Sequence, residues 1–124
     1  MSNSIAQLNL SARIDGQEAS IENGLFSVID QSIVEVWCTG SGALSWGSSL
    51  GEPIPLNSPS HNTYQTYDPT QNFQRLVIQP FSGPSNTALY TCTTDLVVNG
   101  NTFSKSAFIT SCKGNLISIV SLMQ

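Results

Sequence analysis

Apolar side chains recur at every second position along most of this chain. Leu8, Leu10, Ala12 and Ile14 alternate with Asn9, Ser11 and Arg13, and Val34, Val36 and Cys38 alternate with Glu35 and Trp37. Leu44 and Trp46 share one face, Leu76 and Ile78 another, and Ala88, Tyr90 and Cys92 a third. Period two sends successive side chains to opposite faces of a strand, so each run predicts a half-buried β-strand. No stretch of comparable length has helical spacing. Strands are expected over about 5–14, 25–29, 34–38, 44–46, 73–79, 88–98 and 102–110. Turn signals separate them: Asp15-Gly16, Asn23-Gly24, Asp30-Gln31-Ser32, the link Gly40-Ser41-Gly42, and Asn99-Gly100, the strongest hairpin signal in the chain. Between Gly47 and Thr70, Pro53, Pro55, Pro59 and Pro69 remove ladder donors, which limits the region to short edge strands near 52–56 and 62–67. Pro80 to Ser85 reads as a loop, and Leu116 to Met123 can form one more strand.

A chain of 124 residues is expected to form one domain with a sizeable core. Only 10% of residues are charged, against about a quarter in an average protein, so neutral hydroxyls and amides must solvate much of the surface. Such a surface is commoner outside cells. The net charge is −4, and the four basic residues Arg13, Arg75, Lys105 and Lys113 form no counterion-releasing patch, which argues against nucleic acid and anionic lipid as partners. No apolar run reaches the roughly 20 residues of a spanning helix, so membrane insertion by this domain is not expected. The N-terminus lacks a secretory leader pattern; a secreted form would have lost its signal, with any anchor beyond Gln124. Asn9-Leu10-Ser11 is a candidate glycosylation triplet.

Little in the chain points to catalysis or metal binding. Cys38, Cys92 and Cys112 include no Cys-x-x-Cys pair, and His61 is the only histidine. His61 lies in a proline- and asparagine-rich stretch without a nucleophile motif, and Asp15, Asp30, Asp68 and Asp95 lack calcium-loop spacing. Gly40-Ser41-Gly42 has no phosphate-loop context. The expectation is a non-enzyme without cofactor.

The combination of Val34-Glu35-Val36-Trp37-Cys38, Leu44-Ser45-Trp46, Leu76-Val77-Ile78 and Asn86-Thr87-Ala88-Leu89-Tyr90-Thr91-Cys92 resembles the immunoglobulin superfamily over roughly Leu25 to Thr110. The resemblance is nearest the variable-like set, with the I-type set open. It implies an all-β Greek-key sandwich of two antiparallel sheets. It also implies a Cys38–Cys92 disulfide, Trp46 packed on it, and Tyr90 pinning the corner before Cys92; Cys112 is left without an intramolecular partner. Asn86 stands where the family usually has an aspartate, so the usual salt bridge at the sandwich base is not expected. Seven residues separate Cys38 from Trp46, which makes the first apical loop short. The Phe-Gly-x-Gly strand motif of antigen receptors is absent after Gly100.

Domains of this kind serve in cell-surface receptors, adhesion proteins and receptor tyrosine kinase ectodomains. The expected function is therefore extracellular recognition of a protein ligand or homophilic partner, and the alternatives are a structural spacer in a tandem array or a carbohydrate-binding sandwich using Tyr64 and Tyr67. Candidate contacts are the apical loops Gly40, Ser41, Gly42, the segment around Gly47 to Gly51, and Asn99, Gly100, Asn101. Trp37 is a further candidate. Inward Val34, Val36 and Cys38 send it, with Ile33 and Glu35, to the outer face, and Val77 beside it also faces out. A terminal segment or a partner should cover that patch.

Overall fold

The computed structural model describes residues 8–111. The expected strand at 116–123, and Cys112, lie outside them. Two sheets form an immunoglobulin-like sandwich. One is built from β1 (Asn9–Ile14), β2 (Gln17–Ala19), β4 (Val34–Thr39), β6 (Thr63–Asp68) and β7 (Phe73–Ile78), in the order β2-β1-β4-β7-β6. The other contains β3 (Leu25–Val28), β5 (Leu44–Ser48), β8 (Ala88–Val98) and β9 (Asn101–Ser111), in the order β3-β9-β8-β5. All pairings are antiparallel except β3 with β9, which run parallel.

The alternation sorts side chains as expected. Val34, Val36, Cys38, Leu76, Ile78 and Cys92 have no exposed surface, and Leu44, Trp46, Ala88 and Tyr90 are buried with them. Asp15-Gly16, Asn23-Gly24 and Asn99-Gly100 all place both residues at positive φ, between 50° and 83°, the type I′ geometry that matches strand twist. The Asp15-Gly16 turn leads into β2, a short strand absent from the expected set. Pro80 to Ser85 is not wholly a loop, since a helical turn, α1 (Gly83–Asn86), starts within it. The expected strand at 52–56 does not form: apart from the isolated bridge Leu56↔Gln65, 49–62 is irregular.

Cys38 and Cys92 are disulfide-bonded across the sandwich, and Trp46, the cross-strand neighbour of Cys92, is buried beside them. Closing this 54-residue separation contributes about 4 kcal/mol in the chain-entropy treatment. A buried disulfide of this kind is typical of extracellular or secreted domains.

On one side the sheets are joined by a side chain. Gln65 on β6 accepts a hydrogen bond from Trp46 N (2.8 Å) and donates to Trp46 O (3.2 Å) and Ile54 O (2.8 Å). Gln74 Nε2 donates to Gln65 Oε1 at 2.8 Å, and Trp46 Nε1 donates to Gln74 O at 2.8 Å. The Gln65 amide thus fills the place a neighbouring strand would take along the edge of β5.

Candidate interaction surfaces

Three surfaces can meet a partner: the apical end and the outer face of each sheet. At the apical end, the Gly40–Gly42 link is tied down by hydrogen bonds. Asn72 Nδ2 donates to the carbonyls of Gly40 and Gly42, Thr94 Oγ1 donates to Ser41 O, and Asp95 Oδ1 accepts from Ala43 N at 2.8 Å. Tyr67 Oη holds Asn72 in turn, at 2.7 Å. Gly42 has φ +87°, and a Cβ there would overlap Thr94 Oγ1 and stand 2.9 Å from Asp95 Oδ1, so only glycine fits. The candidates Gly40, Ser41 and Gly42 therefore hold the loop together. Asn99, Gly100 and Asn101 remain exposed at the tip of the β8–β9 hairpin. The segment Gly47 to Gly51, expected at the apical end, is not there. Ser48 pairs with Tyr90, and Ser49 N donates to Leu89 O, which places the segment at the opposite end, near α1.

That basal end is built from neutral amides. Asn86, only 5% exposed, accepts from Ser82 N and donates to Asn62 Oδ1, each at 2.8 Å, so neutral partners hold this end together. Tyr90 Oη donates to Asn86 O at 2.6 Å, which is the tyrosine corner. Burial raises the Tyr90 pKa to about 12. A cleft of about 430 Å³ opens here beside Leu50, Ile54 and the exposed His61, but its polar lining from Asn62 and Tyr90 is engaged in these internal bonds. Among the described residues no cluster of His, Cys, Asp or Glu could hold a metal ion.

The outer face of the five-stranded sheet is charged. Register places Glu18, Arg13, Glu35, Val77 and Tyr64 in one cross-strand row and Ser11, Trp37, Arg75 and Thr66 in the next. Trp37 does face outward, and no terminal segment among the described residues lies over it: β1 extends the sheet sideways. It is half-buried, with the Arg13 guanidinium 5.2 Å from its ring centroid. A cation over the indole thus covers part of the apolar surface while remaining hydrated itself. Arg75 pairs with Glu35 at 2.9 Å. Val77 faces outward yet is only 2% exposed, and its row neighbour Tyr64 is buried too. Tyr64 is therefore no exposed platform for sugars, and Tyr67 is exposed but tied to Asn72.

The outer face of the four-stranded sheet differs in kind. Leu25, Phe108 and Leu89 stand side by side across β3, β9 and β8, exposed to 47%, 40% and 42%. Ser106, Thr91 and Gly47 form the next row, and Ser104, Thr93 and Ser45 the one beyond. None of these positions is charged. Gly47 leaves a shallow groove of about 410 Å³ between Ser45, Ser49, Leu89 and Thr93, and a Cβ added there would meet nothing within 4 Å. Periodicity alone could not have found this surface, because the apolar row exists only once three strands are in register.

No protein-family model matches the sequence, and no curated protein matches it.

Proposed function

We propose that this domain is an extracellular protein-recognition module of a cell-surface receptor or adhesion protein, and that it binds through the outer face of the β3-β9-β8-β5 sheet. The observation that carries this reading is the exposed Leu25–Phe108–Leu89 row, beside two further rows that carry no charge. Interface centres are depleted of charge and built on aromatic and aliphatic anchors, whereas solvated faces normally carry charge. Four charges, Arg13, Glu18, Glu35 and Arg75, lie together on the outer face of the other sheet. Serine, threonine and glycine around the apolar row offer neutral hydrogen bonding at little desolvation cost. Within the superfamily the I-type assignment is favoured over the variable-like one, since variable-type domains add strands after β5 and 49–62 forms none.

The test coats beads with the domain and measures their adhesion to one another and to a panel of live cell surfaces. Gly47→Arg fills the groove in open space, and Phe108→Lys places a charge in the apolar row. Both should abolish adhesion while circular dichroism stays unchanged. Adhesion that survives both substitutions would refute the face assignment, and no adhesion to any surface would favour a spacer domain.

A further inference from the structure

We infer that Asn9 carries an N-linked glycan whose first sugars lie along the groove beside Trp37 on the outer face of the β2-β1-β4-β7-β6 sheet. Asn9-Leu10-Ser11 lies at the start of β1, where period two points both Asn9 and Ser11 outward, and both are exposed. Beside them runs a groove of about 470 Å³ lined by Ser11, Arg13, Glu18, Ala19, Trp37 and Phe73. Phe73 shares a cross-strand row with Asn9 through Thr39, two strand spacings or about 10 Å away. Trp37 pairs with Ser11 in the adjacent row. The groove therefore offers half-buried aromatic surface next to a guanidinium, a carboxylate and a hydroxyl, a set suited to a sugar's apolar C–H faces and its ring of hydroxyls.

The modification itself is a transfer to the chain before β1 folds. Asn9 Nδ2 attacks C1 of an oligosaccharide held on a lipid pyrophosphate. A C–N bond forms as the C1–O bond breaks, the lipid pyrophosphate leaves, and the amide gives up one proton. Once folded, the glycan shields Trp37 and the charged sheet, leaving the uncharged sheet as the accessible one. The inference shares with the recognition reading only passage through a secretory compartment, which the test supplies with an added leader, so either can fail without the other.

The protein is secreted from a eukaryotic host, and Asn9 occupancy is read by intact mass. Asn9→Gln and Ser11→Ala should each remove the glycan, while Ser11→Thr should keep it. Indole N–H resonances then test placement: trimming the glycan to one sugar should move the Trp37 signal and leave that of buried Trp46 unmoved. Folded protein secreted without a glycan on Asn9 would overturn the inference. So would a glycan whose trimming leaves Trp37 unchanged.

Discussion

Replacing Gln65 by leucine should destabilise the domain far more than a change at an edge strand usually does. The Gln65 side chain makes four hydrogen bonds, to Trp46 N, Trp46 O, Ile54 O and Gln74 Nε2, and is itself 5% exposed. Leucine is of similar volume but satisfies none of them. Two donors, Trp46 N–H and the Gln74 amide, lose their acceptor in a buried setting at about 1–3 kcal/mol each, while carbonyls with a second lone pair suffer less. Against this, the added apolar burial returns about 1 kcal/mol. The net expectation is a loss of about 3 kcal/mol, a large share of the 5–15 kcal/mol typical of a domain. In urea, with a slope of about 1.5 kcal/mol/M, the unfolding midpoint should fall by about 2 M. A midpoint change worth less than about 0.5 kcal/mol would refute the reasoning and mean that water replaces the amide without cost. The variant should also expose the β5 edge, so self-association through strand pairing should rise with the loss of stability.

Two other expectations follow from the ends of the sandwich. Tyr90 has its pKa raised to about 12 by burial, so its contribution is fully present below the unfolded value near 10 and is lost as pH rises from 10 through 12. Denaturant titrations at pH 8 and pH 11.5 should show a fall of about 2 kcal/mol that Tyr90→Phe abolishes; an unchanged fall in that variant would assign it elsewhere. At the apical end, Gly42→Ala should lower the melting temperature by about 10 °C, from left-handed strain plus overlap with Thr94 and Asp95, whereas Gly100→Ala, with similar φ but open space, should cost about a third as much. Equal effects at the two glycines would contradict the close approach of the first loop to β8.

Periodicity made the sandwich legible because most inward positions are apolar and recur at every second residue, even where apolar side chains also stand on the outer faces. Resemblance to a family supplied the disulfide and the role of Tyr90, which alternation alone does not contain. What could not be read were features that depend on a neighbour from elsewhere in the chain. Gln65 and Gln74 look like solvated residues in sequence, and are buried because Gln65 meets the backbone of Trp46 and Ile54 while Gln74 donates to Gln65. Val77 faces outward as alternation predicts, yet it and its cross-strand partner Tyr64 are both buried, which alternation does not show. The link Gly40–Gly42 carries the composition of a free loop, yet Asn72 and Thr94 bind it from two other segments. Gly47 to Gly51 was assigned to the wrong end because strand direction after Trp46 is fixed by pairing with β8, not by turn residues.

If the neutral rows of the β3-β9-β8-β5 sheet form the contact surface, a glycan placed on them must block binding. Leu89→Asn completes an acceptor triplet with Tyr90 and Thr91 at one end of the apolar row, and Asn101→Thr completes one with Asn99 and Gly100 at the apical hairpin. Both variants are secreted from a eukaryotic host, checked for occupancy by mass, and compared in the bead adhesion assay. The account predicts that the glycan on the sheet face abolishes adhesion and that the glycan on the hairpin leaves it intact. Adhesion blocked from the hairpin but not from the sheet would contradict it.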